Sequence, residues 1–306
     1  MKIGIPKGLL YYKYYPFIQT FLKELGAEII ISDDTNKRIL NDGVKYSVDE
    51  ACLPIKVFHG HVASLRDRCD LIIVPRIMCI RDKEYICPKF CGLPEMIKNS
   101  IPDMPEITEL PLYINSEKNL YNWFRKLGFM VTKNLYAIDI AYVKALEIQR
   151  NFKSGINDNG YDINIALLGH PYNIYDNFVN MNLVEKLHDF GVGITTEEFV
   201  PEANIDEEVS KLFKRPFWSF ARNSYGAASY LHSINKIDGI IYISSFACGI
   251  DSVVIELIKD RIGDFPFLIL KIDEQTGEAG VNTRIEAFVD MIERRKRIEG
   301  NISAHG

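Results

Sequence analysis

The sequence predicts an α/β protein of two lobes, with mostly parallel, doubly wound sheets facing a central cleft. Three observations predict it. Short β-branched runs recur, each followed by a helix-length amphipathic segment. The runs are apolar almost without interruption, as strands covered on both faces must be. The pattern stops at the polar stretch "NFKSGINDNGYD" and then restarts. A chain of 306 residues, 47% of them apolar, is long enough for two cores. The division is a lobe over 1–150, a linker over 151–161 and a second lobe over 162–306.

"KIGIP" is the first strand. "PFIQTFLKELG" is a helix that stops at Gly26, a C-terminal cap, and "AEIIIS" is the next strand. "KVFHGHVASLRDR" is helical and leads into the strand "DLIIVP". "AIDIAYVKALEIQR" closes the first lobe as a long helix. In the second lobe "INIALLG" is a strand, "NFVNMNLVEKLHDFG" a helix and "VGITT" a strand; "DGIIYISS" and "PFLILKI" are further strands. "TRIE" has the form of a capping box, with Thr283 as N-cap of the last helix. The aromatic "LLYYKYYPF" reads as a helix start packed into the core, with stacking on a ligand as the alternative.

The halves resemble a diverged repeat. "FLKELGAEIII" parallels "VEKLHDFGVGIT", and "DLIIVPRIMC" parallels "DGIIYISSFAC". Each of the latter pair runs from a strand into a loop with a cysteine, Cys79 or Cys248. Open α/β sheets bind ligands at the carboxyl ends of their strands, where these residues fall.

Charge and hydropathy exclude some classes. The formal net charge is −5 with the signs interspersed, which argues against nucleic-acid binding. The basic run "ERRKR" suits the end of a helix. The longest apolar runs are strand-sized, so no membrane span is expected. "MKIGIPKGLL" lacks a signal-peptide layout because Pro6 and Lys7 interrupt it, and the expected localisation is cytoplasmic. Thiols stay reduced there, so clustered cysteines point to metal or catalysis before disulfides.

There are six cysteines, and none forms the paired C-x2-C knuckles of a zinc site. Spacing alone leaves a cluster and no metal equally open, because iron–sulfur ligands come from distant loops. In "ACLPIK", Pro54 keeps the chain after Cys52 extended, and Lys56 and His59 follow where a helix begins. A thiol there meets positive neighbours that favour ligation; a buried structural thiol is the alternative. Cys87 precedes Pro88 and Lys89 and repeats the theme. Cys248, in "SSFACGIDS", follows a strand, with Gly249 permitting a tight turn. Cys69 leads into a buried strand and reads as core. His59 and His61 read either as donors beside an anionic group or as helix-face histidines. His170, in "LLGHPY", follows a strand and faces the ligand position. "DEQTGEAG" offers glycine amides to an anion, or is a plain loop.

Taken together, "GIPKGLLYYKYYPF", "DEACLPIKVFHGH", "EYICPKFCGLPEMI", "GHPYNIYD", "SSFACGIDS" and "IDEQTGEAGVNTRIEAFVDM" resemble the small proteins of the activase-related family of the 2-hydroxyacyl-CoA dehydratases. The resemblance runs from the first residues to about residue 293 and extends to dehydratase subunits and double-cubane-cluster reductases. It implies Rossmann-like (flavodoxin-like) lobes. It also implies a low-potential [4Fe-4S] cluster, single or double cubane, on Cys52, Cys87 and Cys248. Cys79 and Cys91 fall where much of the family has other residues, as spare thiols, alternative ligands or part of a larger cluster. Lys56, His59, His61, Lys89 and His170 would surround the cofactor and offset its charge. The implied activity is electron transfer or reductive chemistry on a small or CoA-thioester substrate, of the dehydratase or reductase type. The chain has no Gly-Lys-Ser or Gly-Lys-Thr phosphate loop, so ATP would be hydrolysed by a separate activase or reductase component, in a homodimer or hetero-oligomer. A non-catalytic cluster carrier for an activase, and a zinc or metal-free α/β binding protein, are the competing readings.

Overall fold

The computed structural model describes residues 1–304. The chain divides into two compact units. The first is Met1–Ser154 with Pro216–Ser219; the second is Gly155–Arg215 with the residues from Phe220 on. The sequence reading assigned Pro216–Ser219 to the second half. These residues join the first unit because Tyr85 donates its N–H to the Phe217 carbonyl and stacks on the Phe217 ring at 4.5 Å.

The first unit opens with β1 (Lys2–Ile5), α1 (Tyr11–Glu24), β2 (Glu28–Ile31), α2 (Lys37–Lys45) and α3 (Leu53–Leu65). Next come β3 (Leu71–Ile72), β4 (Arg76–Arg81), β5 (Glu84–Tyr85), α4 (Pro88–Cys91) and α5 (Leu93–Ser100). It ends with β6 (Glu106–Ile107), β7 (Pro111–Tyr113), α6 (Glu117–Val131) and α7 (Leu135–Asn151). A parallel sheet runs in the order β2-β1-β3-β6, with Ile3 between Ile29 and Leu71. Its strands are apolar because helices cover both faces. A second, three-stranded sheet, β5-β4-β7, carries an antiparallel β4–β5 pair with an irregularity between Cys79 and Arg81. The sequence pattern gave no sign of this sheet, whose strands are short and mixed in polarity.

Helix α1 starts at Tyr11, within the aromatic stretch read as a helix start, and carries Pro16 within it. A proline there removes a helical hydrogen bond at a cost of roughly 3 kcal/mol. Aromatic packing offsets it: Phe17 lies 4.3 Å from Phe124 and 5.6 Å from Tyr142, ring to ring. The end of α1 is as the sequence predicts. Gly26, at φ +77, donates to the Lys23 carbonyl while Ala27 donates to Leu22, a Schellman cap. Helices α2 and α3 cross backbone to backbone. A Cβ on Gly43 would lie 1.9 Å from the Lys56 carbonyl oxygen, and one on Gly60 1.9 Å from that of Ile39.

The second unit runs β8 (Ile163–Gly169), α8 (Pro171–Ile174), α9 (Leu183–Asp189), β9 (Val192–Thr195), a 3-10 turn (Glu197–Phe199) and α10 (Glu202–Ser210). It continues with α11 (Ser219–Ser233), β10 (Gly239–Ser245), α12 (Gly249–Ile262), β11 (Phe267–Ile272) and α13 (Glu278–Ala304). Its sheet is parallel throughout, in the order β11-β10-β8-β9, and every residue of β10 is buried. The single helix expected over "NFVNMNLVEKLHDFG" is only α9. Asp176 accepts from the Phe178 and Val179 amides, and Met181 and Asn182 sit at φ +58 and +57, which ends any helix before Leu183. Thr283 is not a cap. Helix α13 begins at Glu278, and the Thr283 hydroxyl donates back to the Ala279 carbonyl.

Arg222, 1% exposed on α11, pairs with Glu202 and Asp206 of α10. Among the described residues no helix is long and apolar enough to cross a membrane.

Candidate functional site

Cys52, Cys87 and Cys248 occupy one kind of position. Each is the N-cap of a helix: Cys52 of α3, Cys87 of α4 and Cys248 of α12. None uses its sulfur as a cap hydrogen-bond acceptor. Proline in the first helical turn sets two of these starts, Pro54 after Cys52 and Pro88 after Cys87, since proline lacks only an N–H that has no helical partner there. All six cysteines are free thiols.

In the first unit the Cys52 and Cys87 thiols are close enough to repel when charged. Burial chiefly pushes the Cys87 thiol pKa up, and the Cys52 and Cys91 charges add to it; the Lys89 backbone N–H and the Lys89 charge pull it back. Lys89 is therefore the positive group that offsets charge at Cys87. Lys56 is buried on α3.

Cys91, half-buried at the end of α4, has its thiol 3.5 Å from the Ile77 carbonyl. Cys79 lies within β4, not in a loop after a strand. Its thiol is 2.8 Å from the Arg81 carbonyl and 3.1 Å from that of Glu84, inside the β4–β5 irregularity. That sulfur is committed to holding the hairpin. Cys69 packs its sulfur against β1, where a Cβ on Gly4 would come within 2.9 Å of it.

The two histidines of "FHGH" differ. His61 is fully buried, with Nδ1 2.9 Å from the Ser32 hydroxyl and Nε2 2.9 Å from that of Thr35. Burial first, then the Lys7 charge, pull its pKa down to about 3. His61 is thus a neutral bolt between α3 and the loop after β2. His59 places Nδ1 2.7 Å from the Ile55 carbonyl, to which it donates, and leaves Nε2 buried without a hydrogen-bond partner. Burial lowers its pKa too.

In the second unit, His170 caps α8 directly after β8, as expected of a residue at a strand's carboxyl end. Its ring stacks on Tyr172 at 5.1 Å, with Phe220 edge-on at 4.9 Å. Nδ1 is 3.5 Å from Asp251 Oδ2. Burial opposes the imidazolium, but the Asp251 charge and hydrogen bond outweigh it and raise the His170 pKa. Burial likewise opposes the Asp251 carboxylate, and His170, Ser244 and Tyr242 reverse that and lower its pKa. Tyr242 donates to Asp251 Oδ1 at 2.9 Å and Ser244 to Oδ2 at 2.8 Å. Donor atoms of His170, Cys248 and Asp251 all lie within 4.8 Å of one another.

Sequence reasoning missed Asp251. It sits three residues after Cys248 in "SSFACGIDS", on the first turn of α12, and an acidic residue one turn after the cysteine was the available signal. The turn before Cys248 is made by Ala247 at φ +61, not by Gly249, which is already helical. A left-handed alanine costs roughly 1–2 kcal/mol, which the β10–α12 frame must hold.

These features define a two-unit α/β protein with a parallel four-stranded sheet in each unit and three of its six cysteines at helix starts. The chain belongs to the family of the CoA enzyme activase uncharacterised domain (DUF2229), whose model matches residues 2–200. Residues 165–292 also match the 2-hydroxyglutaryl-CoA dehydratase D-component. No curated protein matches the chain. Among solved structures, a manganese-bound mutant of a periplasmic metal binding protein from Candidatus Liberibacter asiaticus aligns over 96% of this chain and 99% of its own. Identity is 12% and TM-score 0.28. A metal-free mutant of that organism's protein covers 94% and 100%, at 12% identity and TM-score 0.23. Likenesses this loose carry no argument.

Proposed function

We propose that Cys52, Cys87 and Cys248 ligate a [4Fe-4S] cluster, and that the protein serves electron transfer or reductive chemistry on a small or CoA-thioester substrate, driven by an ATP-hydrolysing activase partner. The observation that carries this reading is the shared N-cap placement of the three thiols. At the starts of α3 and α12, free backbone N–H groups and the positive end of the helix dipole suit an anionic group such as a cluster. The Lys89 charge beside the Cys87 sulfur is of the kind that offsets the charge of a metal-bound thiolate and raises its potential. Cys79 and Cys69 lack this placement and are assigned to packing. A cluster held there supplies a single low-potential electron.

The chain's own residues do the rest. The His170–Asp251 pair keeps a positively polarised ring beside the start of α12, where Tyr242 and Ser244 hold the carboxylate in place. Lys89 sets positive charge next to Cys87. His61, neutral and committed to Ser32 and Thr35, fixes α3 and supplies no charge. The family names support an activase as the partner and a thioester as the substrate class.

A second reading is favoured by one observation. His170, Cys248 and Asp251 offer nitrogen, sulfur and carboxylate donors within 4.8 Å, a set suited to zinc. Protein purified without oxygen separates the two. The first reading expects iron with acid-labile sulfide, and a paramagnetic signal after reduction by an ATP-dependent activase. Zinc without sulfide, lost in Asp251→Asn, would replace it with the second.

A further inference from the structure

The first unit contains an apolar cavity of about 130 Å³ that the chemistry described so far does not use. It lies at the carboxyl ends of β1 and β3, the two neighbouring strands at the middle of the order β2-β1-β3-β6. The chain after β1 turns to β2 on one side, and β3 and β6 lie on the other. That is the topological switch point, where open parallel sheets bind ligands. The floor is fully apolar: Ile5, Phe58, Ile73, Ile77, Trp123 and Phe124 are all buried. The mouth is formed by half-buried residues of α1 and α7, chiefly Tyr11, Tyr14, Ile18, Leu146 and Gln149.

We propose that this cavity binds a compact, uncharged hydrocarbon group about the size of a benzene ring. The volume matches the occupant. A dry, aliphatic- and aromatic-lined cavity of roughly 150 Å³ in another protein accepts benzene or xenon. The lining excludes a charged or strongly polar group. Gln149 cannot serve one, because its oxygen accepts from the Phe17 amide and its nitrogen donates to the Lys13 carbonyl. Tyr11 receives a hydrogen bond from Gln19 at the rim, where a polar substituent of the ligand would emerge. The proposal stands independently of the cluster, since the walls contain no cysteine.

The test uses the full chain carrying Trp218→Phe, so that Trp123, in the cavity floor, is the only indole. Toluene is titrated while Trp123 emission and the melting temperature are followed, with benzoate at equal concentration as the charged control. Leu146→Phe narrows the mouth, and Ile114→Phe fills the wall from another element should the first variant fail to fold. The expected result is a saturable change in Trp123 emission with toluene and a melting temperature raised by several degrees. Benzoate gives neither, and the folded filling variant loses at least tenfold in toluene affinity. An emission change that never saturates, an unchanged melting temperature, or an equal response in the filled variant would overturn the proposal.

Discussion

Gly60→Ala should destabilise the first unit, against the usual effect of placing alanine in a helix. The new Cβ would stand 1.9 Å from the Ile39 carbonyl oxygen, whereas carbon and carbonyl oxygen normally approach to about 3.3 Å. Helices α2 and α3 must therefore separate by about 1.4 Å. A radial gap of ~1 Å already forfeits up to half of each contact's attraction, and forced overpacking typically costs about 1–3 kcal/mol. Alanine returns up to ~1 kcal/mol of helix propensity. The net loss is about 1 kcal/mol, or a fall in melting temperature of about 2–4 °C. Gly280→Ala is the control, because a Cβ there meets nothing within 4 Å; it should hold or raise the melting temperature. Gly43→Ala faces the same crossing from the other side, 1.9 Å from the Lys56 carbonyl oxygen. One separation relieves both clashes, so the double variant should cost less than the sum. Thermal unfolding followed by circular dichroism reads all four proteins. A Gly60→Ala protein that melts within 1 °C of the parent, or above it, refutes the backbone crossing.

Acid should weaken the fold through His61. Its folded pKa is about 3, whereas an unfolded histidine takes a proton near pH 6.5. Its contribution is therefore complete above pH 6.5 and falls with decreasing pH by ~1.4 kcal/mol per unit, about 2 kcal/mol by pH 5. Urea unfolding at pH 7 and pH 5 should show that loss, and His61→Gln should reduce it. Arg222→Leu should cost about 3 kcal/mol by urea unfolding, the low end for breaking a buried ion pair, because Glu202 remains 58% exposed and can rehydrate. Cys79→Ala should lower stability by about 1 kcal/mol, as the Arg81 and Glu84 carbonyls lose their thiol, with no change in bound iron.

The large sheets were readable because β8, β10 and their neighbours are continuous apolar runs with crossover helices between them. The small sheet was not. β4 and β5 follow no clear alternation, and β5 is partnered by Trp218, more than a hundred residues away. Helix limits failed where side chains, not propensity, decide them. Asp176 stops a helix that its neighbours would extend. The helix-start cysteines were legible as Cys–Pro and Cys–Leu–Pro, since proline marks the first turn. The glycine of "FHGH" was visible, but its reason lay in α2. Asp251 carried a signal in its place one turn after Cys248, yet its three partners come together only in the fold.

Iron and sulfide content, measured on protein made without oxygen, tests the central claim most directly. Cys52→Ala, Cys87→Ala and Cys248→Ala should each abolish or sharply reduce bound iron, while Cys69→Ala keeps it. Parent-level iron in any of the first three, or none in the parent protein, would contradict the assignment of helix-start thiols as cluster ligands.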